Sequence, residues 1–204
     1  MLSIVREIAR ADASMKAGKW LKKEFEGAEL NGKTLGVIGF GRIGCAVAAR
    51  AKAFDMQVLA YDPLVSADEI KARGGLPVSL DSLLASADII TMHMPLTPDS
   101  RGMLSTEAFG KMKKGAYVIC AARGGVIDEA ALLEALNSGK IAGAALDVFS
   151  AEPPGLTDLV AHPKVICTPH VGAQTVEAQE RAANDISEEV LNALNEKPLR
   201  WKVA

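Results

Sequence analysis

The sequence has few of the residues from which disulfides and metal sites are built. It contains three cysteines, Cys45, Cys120 and Cys167, an odd number with no C-x-x-C pairing and with apolar neighbours at each. We therefore expect buried, reduced thiols rather than a disulfide framework. The three histidines show no helical or short-range ligand spacing with one another, so we predict no metal site.

Long apolar runs and basic runs are also missing. The apolar stretches stop well short of the ~18 residues that a membrane-spanning helix needs, and charged residues interrupt the first of them, which argues against a signal peptide. The charge is nearly balanced, with 23 basic and 25 acidic residues in 204, and no basic and aromatic residues interleave. We therefore predict a cytoplasmic globular protein that binds neither nucleic acid nor membrane.

The most informative segment is an apolar run, residues 34–38, that leads directly into Gly39-x-Gly41-x-x-Gly44. In a strand-to-helix turn the first glycine permits the tight turn, the second leaves room for a pyrophosphate, and the third lets the helix pack closely on the strand. The helix N-terminus would then offer N–H groups to the anion. Because the motif alone is weak evidence, its context has to decide.

The context favours a dinucleotide. Residues 46–54 predict a helix, and residues 57–61 predict a second strand that ends at Asp62, 18 residues after the last glycine. A carboxylate there would accept hydrogen bonds from a ribose 2′-hydroxyl and repel a 2′-phosphate, which favours NAD over NADP. Arg42 is a counter-argument, although inside the glycine loop its guanidinium is better placed for the pyrophosphate. Without the glycines, Asp62 would be interpreted as the start of a turn.

Strands and helices alternate along the rest of the chain. The alternation predicts an α/β fold, a Rossmann doubly wound parallel sheet with helices on both faces. We expect one domain over residues 1–204, with a core at about 30–173 and flanking helices at about 1–17 and 175–195, the last with an apolar face packed against the sheet. Further strands are predicted at 88–92, 116–120, 142–148 and 164–168, a short extended segment at 77–78, and helices at 66–73, 81–86, 105–111 and 128–138.

Ligands of an open parallel sheet lie beyond the carboxyl ends of its strands. At one such end Arg123 precedes two glycines that would turn its guanidinium toward the crevice, where the planar group fits a carboxylate. The alternative interpretation of Arg123 is a salt bridge to Asp128 or Glu129. At another, His170 could exchange a proton near neutral pH, with Glu152 orienting the ring. A lone histidine there would be structural, so the prediction depends on the acid and the arginine joining it.

Together these motifs resemble the D-isomer-specific 2-hydroxyacid dehydrogenases. The resemblance runs from the first helix to about residue 195, and it implies hydride transfer between NAD and a D-2-hydroxy acid. Two side chains depart from the family pattern, Cys120 where asparagine is usual and Met94 where threonine is frequent. The matching segments are residues 13–20, 39–44, 61–63, 122–129, 146–149, 152–154 and 169–173.

The resemblance also implies roles for individual residues. Arg123 would bind the substrate carboxylate and carbonyl, His170 would be the acid/base, and Glu152 would keep His170 protonated. Asp62 would meet the adenosine ribose and Asp147 the nicotinamide carboxamide. The implied cofactor-binding residues are Gly39, Gly41, Arg42, Ile43, Gly44, Asp62, Met94, Pro95, Ala121, Ala122, Arg123, Asp147, His170, Gly172 and Ala173.

Members of this family carry a first lobe that supplies much of the substrate pocket. We therefore expect this chain to be the cofactor-binding part, with the substrate-binding lobe absent, and a homodimer formed through this domain is possible. The substrate would be a small 2-hydroxy acid whose identity this part of the sequence does not specify; glyoxylate and lactate are alternatives. A different class also remains open, an NAD-sensing binding protein similar to the corepressors that share this fold.

Overall fold

The computed structural model describes residues 1–200, which form two compact units, Met1–Pro169 and a second that begins at His170. The first unit holds a seven-stranded parallel sheet in the order β3-β2-β1-β4-β5-β6-β7. This order confirms the predicted doubly wound sheet. The strands are β1 (Thr34–Ile38), β2 (Gln57–Tyr61), β3 (Leu76–Pro77), β4 (Ile89–Met92), β5 (Ala116–Cys120), β6 (Ile141–Leu146) and β7 (Val165–Cys167).

Helices cover both faces of this sheet. One buried cluster lies between the sheet and helices α1, α3 and α4, and a second lies between the sheet and helices α5, α6 and α7. Most of the strand side chains are therefore buried, as expected for parallel strands. The helices of this unit are α1 (Leu2–Val5), α2 (Ile8–Lys16), α3 (Arg42–Lys52), α4 (Ala67–Ala72), α5 (Leu80–Ser86), α6 (Thr106–Lys111) and α7 (Glu129–Asn137).

Local capping explains where several helices begin. The side chains of Ser66, Ser79, Ser105 and Asp128 each accept a hydrogen bond from the amide three residues ahead, at the starts of α4, α5, α6 and α7. The observed bounds lie within a few residues of those predicted from the sequence, with the largest difference at α3, which begins at Arg42 inside the glycine motif.

The single first helix predicted at about 1–17 is wrong, because the chain breaks between α1 and α2. The carbonyl of Val5 accepts a hydrogen bond from the amide of Ala28 at 2.9 Å instead of one from the next turn of the helix. Glu7 then adopts a left-handed conformation with φ of 50°. Ile4 packs over β6, where a β-carbon at Gly143 would lie 3.1 Å from its Cδ1 atom. The apolar periodicity continues through the break, so the sequence pattern did not reveal it.

The second unit contains α8 (Val176–Leu194), a helix of 19 residues that begins at a Thr175 cap. None of its residues is buried, and the larger apolar side chains along it are 50 to 77% exposed. The packing of this face against the sheet involves both units and therefore stays a prediction. Periodicity specifies that one face is apolar, whereas coverage depends on which surface meets it.

No helix within residues 1–200 is long and apolar enough to cross a membrane.

Candidate functional site

The candidate site lies where the strand order changes direction. The chain passes from β1 to β2 on one side and reaches β4 on the other, so the loops after β1 and β4 separate and leave a crevice at the carboxyl ends. The amide of Gly39 donates to the carbonyl of Tyr61 at 2.8 Å, and the amide of His93 donates to the carbonyl of Ile38 at 2.7 Å. These two hydrogen bonds hold the three strand ends in register at the crevice.

Two glycines of the motif are required by close packing. Gly39 has φ of +90°, and a β-carbon there would lie 2.7 Å from the carbonyl carbon and oxygen of His93. A β-carbon at Gly44 would collide with the carbonyl oxygen of Gly39, because α3 crosses directly over the turn. A side chain at position 39 would therefore collide with the backbone after β4, and one at position 44 would push α3 away from the turn.

Gly41 differs from the other two glycines because its surroundings are open. No atom lies within 4 Å of a β-carbon built at this position, and Gly41 caps α3 with its backbone alone. Arg42 and Ile43 are exposed in the first turn of the helix. A helix N-terminus that faces open space, with no side chain of its own filling it, suits a phosphate group.

Asp62 follows β2 and lies beside this turn. One carboxylate oxygen accepts the amide of Phe40 at 2.7 Å, and the other accepts the amide of Leu64 at 2.8 Å. The carboxylate is partly exposed, and each oxygen has a further lone pair for a ribose hydroxyl. Asp62 therefore links the glycine loop to β2 in addition to the ribose role that the sequence predicts.

The segment after β4 forms the opposite wall of the crevice. The side chain of Met94 is buried, Pro95 is exposed, and the carbonyl of Pro95 accepts the Ser100 hydroxyl at 2.7 Å. Because Met94 points into the core, only its backbone faces the predicted cofactor position. His93 lies next to it with its Nε2 atom 2.9 Å from the Thr91 hydroxyl oxygen, and burial lowers the pKa of His93 to about 4.

The loop after β5 carries the predicted arginine. Ala121 and Arg123 are exposed, whereas Ala122 is buried. The Nη1 atom of Arg123 donates to the carbonyl of Ala122 at 2.6 Å. The alternative interpretation, an ion pair with Asp128 or Glu129, does not occur among the described residues. Asp128 instead caps α7, and Glu129 accepts the amide of Ser150 at 2.6 Å.

Cys120 replaces the polar residue usual at the end of β5. The side chain is buried, and burial raises the pKa of its thiol. Its Sγ atom lies 3.9 Å from the carbonyl oxygen of Arg123. The thiol therefore packs beneath the arginine loop and does not face the crevice.

The loops after β5 and β6 pack against each other. A β-carbon at Gly124 would collide with the carbonyl oxygen of Phe149, so the arginine loop lies directly on the loop that carries Glu152. Glu152 is exposed, and its Oε1 atom accepts the amide of Phe149 at 3.1 Å. The structure thus brings the backbone segments of Arg123 and Glu152 together.

Asp147 directly follows β6 and is buried. Its amide donates to the carbonyl of Cys120 at 2.9 Å, and its Oδ1 atom accepts the hydroxyl of Thr168 at 2.5 Å. The sequence reasoning did not identify Thr168 as a partner, although a hydroxyl residue at the end of the neighbouring strand was a usable signal. The hydrogen bond orients the aspartate at the edge where the predicted nicotinamide would lie.

The remaining predicted residues open the second unit. His170 is exposed and left-handed, with φ of 53°, and Gly172 and Ala173 are exposed. Arg123 and Glu152 belong to the first unit and His170 to the second. The predicted arrangement of these three groups therefore stays a prediction.

The donors and spaces of the first unit fit a dinucleotide. The open helix N-terminus at Gly41 suits a pyrophosphate, and Asp62 offers acceptors to a ribose. No group of three or more histidine, cysteine, aspartate or glutamate side chains that could hold a metal ion occurs in the described part of the chain.

Comparison with known proteins gives the same assignment. Residues 1–172 match the family model described as D-isomer specific 2-hydroxyacid dehydrogenase, NAD binding domain. The chain is 51% identical over 189 residues to D-3-phosphoglycerate dehydrogenase of Bacillus subtilis (strain 168) and 49% identical over 201 residues to that of Archaeoglobus fulgidus. These alignments cover 93% and 98% of this chain but only 36% and 38% of the relatives. The chain therefore spans little more than a third of their length.

Solved structures agree with this similarity. A glyoxylate reductase from Paecilomyes thermophila matches with a TM-score of 0.93 at 34% identity, over 100% of this chain and 62% of that one. A D-lactate dehydrogenase from Aquifex aeolicus, complexed with NAD and lactic acid, matches with a TM-score of 0.85 at 35% identity, over 96% and 63%.

Proposed function

Because the chain belongs to the D-isomer specific 2-hydroxyacid dehydrogenase family, as its NAD-binding domain, we propose that the protein oxidises D-3-phosphoglycerate to 3-phosphohydroxypyruvate, a step toward serine. The observation that supports this choice of substrate is the degree of sequence identity to the relatives. The chain is 51% identical to the D-3-phosphoglycerate dehydrogenase of B. subtilis, against 34% and 35% for the glyoxylate reductase and the D-lactate dehydrogenase.

The proposed cofactor contacts come from the first unit. Asp62 accepts hydrogen bonds from the adenosine ribose, and the helix N-terminus beside Gly41 receives the pyrophosphate. Asp147, held by Thr168, accepts from the nicotinamide carboxamide. Bound NAD supplies the chemistry of hydride acceptance from C2 of the substrate.

The proposed reaction uses three side chains. Arg123 pairs with the substrate carboxylate through its planar fork, which orients C2. His170 takes the proton of the C2 hydroxyl as the hydride leaves, and Glu152 stabilises the resulting imidazolium. The hydroxy acid loses two electrons and two hydrogens, one as hydride and one as the proton on His170.

Catalysis is tested in a chimera that joins this chain to the substrate-binding lobe of the B. subtilis relative. Formation of NADH is followed with D-3-phosphoglycerate, D-lactate and glycolate at equal concentrations. We expect D-3-phosphoglycerate to be oxidised fastest. Faster oxidation of either other acid would assign a different substrate, and NAD binding without product from any of them would indicate an NAD-sensing protein.

The proposal includes a homodimer formed through the first unit and a cytoplasmic location. An apolar groove of about 420 Å³ lies along α2 and is lined by Met15, Trp20, Leu21 and Phe25 among others. Trp20 is 77% exposed, which is unusual for so large an apolar side chain unless a partner covers it. Light scattering of the chain and of Trp20→Ala tests this part, with a dimer expected for the first and a monomer for the second.

A further inference from the structure

The glycine loop is held from outside by a residue that none of the sequence motifs contains. The Nη1 atom of Arg73 donates to the carbonyl oxygen of Phe40 at 3.2 Å. Phe40 stands between Gly39 and Gly41 in the motif, and its side chain is fully buried. Because 33 residues separate the two positions, this contact exists only in the folded protein.

The position of Arg73 is itself well determined. The residue caps the C-terminus of α4, and the next two glycines donate back to the helix, Gly74 to Lys71 at 2.8 Å and Gly75 to Ile70 at 2.9 Å. This is the hydrogen-bond pattern of a Schellman motif, which ends a helix in one defined geometry. A β-carbon at Gly75 would lie 2.7 Å from the Cζ atom of Phe40, so the end of α4 and the loop are in direct contact.

The Phe40 carbonyl and the Gly41 amide belong to one peptide group. A trans peptide is planar, so its N–H points opposite to its C=O. The Phe40 carbonyl oxygen also accepts the Cys45 thiol at 3.3 Å, so Arg73 and Cys45 together set the direction of the Gly41 N–H. Asp62 holds the preceding amide, that of Phe40, at 2.7 Å. No acceptor for the Gly41 N–H occurs in residues 1–200, and the space beside it is open.

We propose that Arg73 is a positioning residue for NAD, which aims the Gly41 N–H at the cofactor pyrophosphate by holding the Phe40 carbonyl. The arginine does not touch the cofactor in this arrangement. Glu69 helps to hold Arg73 in place, because the Glu69 carboxylate lies 3.4 Å from the Nη2 atom of Arg73. The proposal rests on NAD being held at the glycine loop and is independent of the 2-hydroxy acid that the protein oxidises.

The test measures binding to the chain itself, by calorimetry, with NAD, ADP and adenosine as separate ligands. Arg73→Ala is expected to weaken NAD and ADP about 5- to 20-fold, the range for losing a charge-assisted hydrogen bond. Adenosine lacks the pyrophosphate, so its affinity is expected to stay within about 2-fold. Arg73→Lys keeps the charge and a donor and is expected to recover part of the loss.

Lys71→Ala is the matched control. Lys71 lies on the same helix and forms an ion pair with Asp68, and within residues 1–200 its side chain makes no hydrogen bond or ion pair with the loop. This variant loses one positive charge and one surface ion pair, as Arg73→Ala does, and is expected to keep the affinity for all three ligands. Repeating the titrations at higher salt separates a general charge effect, which salt screens, from positioning, which salt leaves in place.

A second readout needs no bound cofactor. In the NMR spectrum of the ligand-free chain, Arg73→Ala is expected to shift the Gly41 amide resonance and speed its hydrogen exchange, whereas Lys71→Ala leaves both unchanged. The proposal fails if Arg73→Ala and Lys71→Ala bind NAD with equal affinity and show the same Gly41 amide resonance. It also fails if Arg73→Ala lowers the affinity for adenosine as much as the affinity for ADP. Lack of turnover with D-3-phosphoglycerate would refute the proposed function and leave these binding ratios unaffected.

Discussion

The glycine loop and the arginine loop lie at the same edge of the sheet but are held in different ways. Backbone atoms in close contact determine the glycine loop, with Gly44 against Gly39 and Gly39 against the peptide after His93. The arginine loop and the loop after β6 that packs on it present exposed side chains, Arg123 and Glu152, on a closely packed backbone. We infer that changes in the first loop affect both folding and cofactor binding, whereas side-chain changes in the second affect only the chemistry.

Gly44→Ala should give the largest effect and is the most direct attempt to break the glycine loop. Its new methyl group collides with the carbonyl oxygen of Gly39. Overpacking typically costs about 1 to 3 kcal/mol, and we expect the upper end here because the contact is with backbone. We expect a large fall in the urea midpoint and no measurable NAD binding. Gly110→Ala is the control, because nothing lies within 4 Å of its β-carbon and alanine is the better helix former. Equal stability of the two variants would contradict this account.

The second largest effect is expected from acid, which should lower the stability of the fold through His93. Burial lowers the pKa of His93 to about 4, below its ordinary value of about 6.5. The unfolded chain therefore binds more protons between these pH values, so stability falls as the pH is lowered through this window, by about 3 kcal/mol in total.

His93→Gln isolates this contribution, because glutamine does not titrate. Denaturation in urea at pH 7, 5.5 and 4 should show a smaller loss of stability in the variant than in the parent chain. His162→Gln is the comparison variant. Burial and Lys164 also lower the pKa of His162, but less than burial lowers that of His93, so this variant should reduce the loss of stability less. The same pH dependence in the parent and in His93→Gln would show that His93 is not held neutral by burial.

Asp62→Ala is expected to have an intermediate effect. It removes the ribose acceptor and the partner of the Phe40 amide, and hydrogen bonds to charged groups contribute about 1.5 to 3 kcal/mol. We therefore expect the affinity for NAD, measured by calorimetry, to fall about 10- to 100-fold. The ratio of the affinities for NAD and NADP should also become smaller. Asp68→Ala removes an exposed carboxylate that pairs with Lys71 and should leave NAD affinity unchanged.

The smallest effects on stability are expected in the arginine loop and in the loop after β6 that packs on it. Arg123→Ala and Glu152→Gln alter exposed side chains, so stability should change by less than about 0.5 kcal/mol, and NAD should still bind. In the chimera, both variants should lower turnover by about 100-fold or more, the scale of a lost acid/base or orienting group. Loss of stability equal to that of Gly44→Ala would remove the distinction between the two loops.

The sequence reasoning predicted most of the first unit because its signals are local. Strands of four to six residues between capped helices, and glycines at fixed spacing, follow from steric and hydrogen-bonding rules that act within a few residues. The prediction for Asp62 depends on the same kind of signal, since the residue directly follows a recognisable strand. The break at Glu7 was missed because it depends on a distant residue. The carbonyl of Val5 accepts a hydrogen bond from the amide of Ala28, far along the chain.

The sequence by itself determined the parallel α/β sheet and the dinucleotide turn of an NAD-binding domain, because periodicity and glycine spacing are properties of short segments. Only the tertiary structure decided how the turn is held. Arg73 and the backbone of His93 reach it from the ends of α4 and β4. Their contacts depend on how separate elements pack, and packing brings together residues whose spacing along the chain carries no regular pattern.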